Sequence, residues 1–460
     1  MPLQLLSSGS NAHGQLGHSQ NEDSNTFIPC NFLGIPKGEL PAGAVGISQV
    51  ATGANHSVVL LNFSPLDGQA EPYTELWGCG DGRAGQLGEW YKKGVHLNSK
   101  PTRTDVFRKL QFPLKEYDLE NYQCKLVAAG WETTYLVLSP SSNVRSGSRG
   151  DIVISMGSDD WGDLGIGPAK PQPERSKTAM TYTPSHLNVV SFDSILIDGS
   201  PLSSQGLLKV DSLAANQHHV LAHLRAEGPE RNGCVVGWGA ARHGQISPPA
   251  TASPPSAVPS KRPSVFDTPR FICVEDPDDP FVKCAVGSQH SALLKASRTL
   301  ICLGSNRKGQ LNVLGSSRTR TVDCTWNGTF TSTFDEEKGY GMRATGSNTH
   351  GQLGSGSLEL SAQESADGVR PVFPERLRQS KLSKLACGTE HVLTLWETPD
   401  SHREVWAWGW NEHGNLGLGT TQDAHSPVRI PISTGVRDVW AGSGTSWIVC
   451  DTGSPIVGLE

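Results

Sequence analysis

The chain has 460 residues, 39 Lys plus Arg against 45 Asp plus Glu, and a formal net charge of −6. That balance offers no basic footprint for RNA or DNA, so direct nucleic-acid binding is not expected. With 51 Gly, 30 Pro and 36% hydrophobic residues, turns are frequent, long helices are disfavoured and the composition reads as all-β. The N-terminal Met1-Pro2-Leu3-Gln4-Leu5-Leu6 lacks a basic leader, and no apolar run is long enough to cross a bilayer. A cytoplasmic or nuclear location is therefore expected. The 10 cysteines are scattered singly, without a C-x-x-C pair, and read as reduced core thiols.

In chain order, residues 3–8 read as a strand leading into a turn word at Gly9, Gly-Ser-Asn-Ala-His-Gly-Gln-Leu-Gly. A second word opens at Val50: a hydrophobic strand, a short turn ending in His56, and another hydrophobic strand. The two words then alternate along the chain. Gly words recur at Gly80, Gly157, Gly239, Gly304, Gly346 and Gly409; His words recur at Val127, Leu213, Cys284, Asp323, Leu385 and Val439, the copy at Asp323 being degenerate. Each unit offers four strands, which is one propeller blade, so seven units predict a single seven-bladed β-propeller spanning residues 1–460. The chain starts in mid-unit and reaches its last His word just before Cys450. Closure is therefore expected by pairing of N- and C-terminal strands, which removes two exposed sheet edges.

The intervals between words are unequal, so insertions must sit in loops. Residues 247–264, rich in Pro and Ser, read as a flexible loop. Residues 89–122 mix aromatics with Lys and Arg and read as an insertion with order of its own. Long loops are also expected around 166–206 and 247–280.

Several patterns suggest chemistry and fail on context. Residues 80–85 match G-x-G-x-x-G, but Gly80 and Gly85 are the repeat's own pair and no helix is predicted to follow. His56, His290 and His391 share one turn position, without metal spacing on one element. They read as hydrogen-bonding braces, and neither a metal nor a cofactor is expected. Acid pairs such as Asp159-Asp160 read as solvated loop carboxylates. With no nucleophile elbow and no P-loop, the chain reads as a binding scaffold rather than an enzyme.

Both words should project to one face of the propeller. There Trp131 and Trp326 replace small residues after strand ends, and Trp161 and Trp410 sit in Gly words. With Glu132, Glu412, Arg83 and Arg307 nearby, these tryptophans form the candidate partner-binding set, because Trp and Arg anchors dominate protein interfaces.

The Gly-Gln-Leu-Gly and Gly-x-x-His words resemble repeats of the regulator of chromosome condensation family, over nearly the whole chain. More narrowly, GSNAHGQLG, VAAGWETT, the irregular CTW unit, WGWNEHGNLG and TSWIV resemble the fungal alpha-tubulin suppressor group within it. That resemblance implies a regulator, monomeric or in a 1:1 heterodimer, of a small zinc- or iron-binding electron-carrier protein. This carrier serves Elongator-dependent tRNA wobble-uridine modification and diphthamide synthesis. The wider family implies an alternative, guanine nucleotide exchange on a Ran-like small GTPase.

Overall fold

The computed structural model describes residues 2–64, 71–88, 91, 103–141, 150–168, 187–228, 232–249, 263–313, 318–361, 364, 368–432 and 435–452. Its strands form a ring of seven antiparallel sheets. The first blade comprises Ala44–Thr52, His56–Phe63, Tyr73–Asp81 and Arg103–Lys109, in that order from the axis outward. The second comprises Tyr122–Ala129, Thr133–Pro140, Ile152–Gly157 and Asn188–Val190, and the third Leu207–Asn216, His219–Glu227, Gly233–Ala240 and Val265–Val274. Lys381–Cys387, His391–Glu397, Arg403–Gly409 and Ala424–Arg429 make the sixth.

The closing blade joins Val436–Ala441 and Thr445–Asp451 to Leu3–Gly9 and Ser24–Pro29. Seven register pairs, from Leu3 with Asp451 to Gly9 with Thr445, hold the two ends of the chain together. The sequence expectation of closure by mixed termini is met.

The fourth and fifth sheets depart from the four-strand unit. Among the described residues the fourth holds Phe281–Val286, His290–Lys295 and Leu300–Gly304, and the fifth Thr319–Thr325, Gly328–Asp335 and Gly339–Gly346. In the fifth, a single bridge between Ala344 and Val369 stands where an outer strand would run.

Each blade is covered on both faces by its neighbours, which is why the second strands are almost wholly buried, as in His56–Phe63. The core is accordingly divided into seven clusters, one per blade interface. Small residues on the innermost strands, Ala51, Ala128, Ala285 and Ala386, fill these clusters near the crowded axis. Large ones fill them farther out: Trp238, Trp408 and Trp447 are fully buried. The indole N–H groups of Trp238 and Trp408 donate to the carbonyls of Asp163 and Gln352 in the preceding blades, at 2.9 and 2.8 Å. The cluster between the fourth and fifth blades is the smallest: Ala285, Ala292, Leu294, Val322 and Cys324.

The insertions are partly absorbed by blades. Within 89–122, Arg103–Lys109 is the outer strand of the first blade and a 3-10 turn covers Leu114–Tyr117; residues 92–102 lie outside the described residues. Within 166–206, a two-stranded hairpin pairs Leu196–Ile197 with Ser200–Pro201. Most of the Pro/Ser-rich 247–264 segment also lies outside the described residues. All ten cysteines are free, seven of them buried, and burial pushes the Cys30 thiol up to about 12. Among the described residues no helix is long and apolar enough to cross a membrane.

Candidate protein-binding face

One backbone hydrogen bond, repeated in every blade, ties the Gly word to the His turn. The residue after the first Gly donates its N–H to the carbonyl of the residue before the His position. The pairs are Ser10 to Gly444, Asp81 to Asn55, Ser158 to Glu132, Ala240 to His218, Ser305 to Gln289, Ser347 to Asn327 and Trp410 to Glu390. Both sets of turns therefore share one face.

The histidine of the His turn reaches into the next blade. His56, His219, His290 and His391 place Nε2 at 2.8, 3.1, 3.0 and 3.0 Å from the hydroxyls of Thr134, Ser291, Thr329 and Ser446. The ring folds back over its own turn, and this fixes the Gly of Gly-x-x-His: a Cβ on Gly388 would lie 2.2 Å from His391 Cε1. Burial pushes these rings well below their ordinary value, to about 4 for His56, His290 and His391 and about 3 for His219. They are neutral structural braces between blades.

Backbone bonds between neighbouring His turns form a belt at the channel mouth. Ala54 N–H donates to Trp131 O and Trp131 N–H to Gln217 O; Ser288 N–H donates to Trp326 O, Trp326 N–H to Thr389 O, and Thr389 N–H to Gly442 O. Both peptide groups of Trp131 and Trp326 are thus committed to the belt. Their rings meet, 5.7 Å between centroids and tilted by 45°. The two residues belong to the second and fifth blades, so the contact crosses the mouth instead of following the ring. Both rings are half-buried, and Trp326 Nε1 is buried without a hydrogen-bond partner among the described residues.

The other two tryptophans do not join this pair. Trp161, 44% exposed, lies against His218 of the third blade at 5.7 Å. Trp410 packs edge-on between His350 and His413, at 6.3 and 5.2 Å. The expected group of four is a central pair with two peripheral rings. Each Trp does pack on protein, and only Trp161 presents a large free surface.

The charged members are also separated. Arg83 is exposed but bound to Asp81, with Nη2 at 2.5 Å from Oδ2, and Glu132 lies near enough to add to its field. Glu412 and Arg307 are exposed turn tips. A residue that the sequence reading passed over is Glu390, beside the belt. It accepts from Asn327 Nδ2 at 2.7 Å and Gln352 Nε2 at 2.8 Å, and burial pushes its carboxyl up. Arg242 was also missed, although it stands three residues after Gly239, as Arg83 does after Gly80 and Arg307 after Gly304. The signal was present in the alignment of turns.

The dinucleotide-like turn has a packing explanation. A Cβ on Gly82 would lie 2.6 Å from Tyr91 Cδ1, and the Tyr91 hydroxyl donates to Gly80 O at 3.0 Å. The space above this turn is filled by an aromatic ring. Among the described residues no group of three or more His, Cys, Asp or Glu could hold a metal ion.

Comparison with known proteins agrees with this geometry. Residues 4–60 and 404–449, the parts flanking the closure, match the model of the regulator of chromosome condensation (RCC1) repeat. Those two segments are RCC1 repeats, and the chain as a whole is a seven-bladed β-propeller. It is 25% identical over 484 residues to the mouse secretion-regulating guanine nucleotide exchange factor, covering 97% of this chain and 83% of that one. It is also 25% identical over 324 residues to the ultraviolet-B receptor UVR8 of Arabidopsis thaliana, covering 61% and 66%. Among solved structures it resembles human WBSCR16, with a TM-score of 0.65, 15% identity and coverage of 98% and 100%. It also resembles Prp20p of Saccharomyces cerevisiae, described with binding properties to Gsp1p and histones, with a TM-score of 0.63, 16% identity and coverage of 98% and 92%. At these identities the structural likenesses speak for the propeller fold alone.

Proposed function

We propose that this propeller is a non-catalytic scaffold that binds one small protein on its turn-bearing face. The observation that carries the reading is the Trp131–Trp326 contact: two half-buried indoles held 5.7 Å apart over the mouth by a belt that fixes both backbones. Rigid aromatic anchors on a preorganised frame lose little entropy on docking and dominate binding where they are enclosed. Trp161 and Trp410 and the charged tips Arg83, Glu132, Arg307 and Glu412 form the rim of that site.

The partner proposed is a small zinc- or iron-binding electron carrier, shared by the Elongator pathway of tRNA wobble-uridine modification and by diphthamide synthesis. The similarity of the GSNAHGQLG, VAAGWETT, CTW and TSWIV words to the fungal alpha-tubulin suppressor group supports this choice. A 1:1 heterodimer in the cytoplasm and nucleus goes with it.

A second reading, nucleotide exchange on a Ran-like GTPase, is favoured by the mouse exchange-factor relative, which aligns with 97% of the chain. One experiment separates the two. The purified propeller is titrated with the carrier protein by calorimetry, and separately with the GTPase loaded with a fluorescent nucleotide. A 1:1 complex with the carrier and unchanged nucleotide release are expected. Accelerated release without carrier binding would replace the proposal by the second reading.

A further inference from the structure

The seven Gly-word turns present one equivalent tip position, three residues after the first Gly. It holds Ala12, Arg83, Asp160, Arg242, Arg307, Thr349 and Glu412. The charge at these tips is not evenly compensated. Arg83 is neutralised by Asp81 of its own turn. At the following position, His350 and His413 reach Asp423 and Asp23 of the next blade, at 2.8 and 2.7 Å. Those two aspartates lie at the start of the outer strands of the sixth and closing blades.

The fourth blade has no outer strand among the described residues, and its turn carries Arg307 and Lys308. The third-blade turn beside it carries Arg242. The two turns abut: a Cβ on Gly304 would meet Gln245 Cα at 3.2 Å. Arg242, Arg307 and Lys308 are all exposed, and no carboxylate forms an ion pair with any of them among the described residues. His243, between the two arginines, is pushed down by burial and then by Arg307 and Arg242, as expected where like charge gathers. Lys308 also lies near Glu390, where it offsets a small part of the rise that burial imposes on that carboxyl. Among the described residues these three side chains thus form a cationic sector without an ion-pair partner, on a chain whose net charge is −6. It borders the aromatic pair, since the Ser288 N–H of the fourth blade bonds the Trp326 carbonyl.

We infer that Arg242, Arg307 and Lys308 form a docking sector for an acidic segment of a partner protein, which enters beside Trp326 and runs outward over the third and fourth blades. The inference rests on the proposal that this face binds a protein, and it names the chemistry of what is bound. Guanidinium groups suit carboxylates because their forked donors can engage two oxygens. Rim charge acts mainly on association rate and specificity. Its effect is therefore salt-dependent.

The test uses fluorescence anisotropy with a labelled peptide of alternating Glu and Ala ending in Phe, a Lys and Ala peptide of equal length, and a single-stranded oligonucleotide. The intact propeller should bind the acidic peptide and lose at least about tenfold in affinity in the R242E/R307E variant. It should lose little in R83A, whose arginine is already neutralised. Equal melting temperatures would show that both variants are folded. Failure to bind the acidic peptide, preference for the oligonucleotide, or an equal loss in R83A would each overturn the inference. A carrier protein that binds the native chain and R242E/R307E equally would also overturn it while leaving the proposed function standing. Binding of the acidic peptide without binding of the carrier would do the reverse.

Discussion

His391 Nε2 lies 3.0 Å from the hydroxyl of Ser446 in the next blade, and the equivalent contact recurs from His56, His219 and His290. These buried rings are held neutral, with folded values of about 4, or about 3 for His219. The unfolded chain takes up protons near pH 6.5, whereas the folded chain does not. Stability is therefore fully present above about pH 6.5 and is lost as pH falls toward 4, by roughly 1.4 kcal/mol per histidine per pH unit. Chemical denaturation should show the midpoint falling between pH 7 and 5.5, before most carboxylates titrate. H290Q should be less stable at neutral pH and should show a shallower slope. A flat profile over this window would contradict the bracing role.

The interface between the fourth and fifth blades should open first. Its cluster contains only Ala285, Ala292, Leu294, Val322 and Cys324, and neither blade has a full outer strand among the described residues. Local stability follows buried apolar contact. Hydrogen exchange should therefore reach the amides of Phe281–Val286 and Thr319–Thr325 before those of His219–Glu227. Uniform protection around the ring would show that the small cluster is compensated elsewhere.

Closure of the ring depends on Leu3–Gly9, the third strand of a blade whose first two strands come from the other end of the chain. Leu5 and Leu6 of this strand are buried in two different interface clusters. Removing residues 2–9 should expose both clusters and leave two sheet edges unpaired. Loss of the cooperative unfolding transition, with aggregation on size-exclusion chromatography, is expected. A monomeric truncated chain with native stability would show that the closure is dispensable.

The ring and its closure were legible because each blade repeats two short words with fixed chemistry. Gly388 must lack a Cβ because His391 folds onto it, so such residues recur wherever the turn does. The common face followed from the same repetition. Trp131 and Trp326, by contrast, meet between the second and fifth blades, and no local pattern encodes a contact across the channel. Trp161 and Trp410 looked equivalent to that pair in the sequence, yet they pack on His218, His350 and His413 at the periphery. Arg83 and Arg307 looked alike for the same reason. Only the structure shows that Asp81 neutralises the first. Tyr91 over Gly82 was illegible because the ring arrives from outside the repeat.

The Trp pair carries the central claim, and its truncation tests that claim most directly. The W131A/W326A double variant keeps the backbone belt, because both tryptophans join it through peptide groups alone. Calorimetric titration with the metal-binding carrier protein, paired with thermal unfolding, separates binding from folding. A loss of roughly 2 kcal/mol or more of binding, with the melting temperature nearly unchanged, is the result predicted. A folded double variant that binds the carrier with native affinity would contradict the assignment of this face.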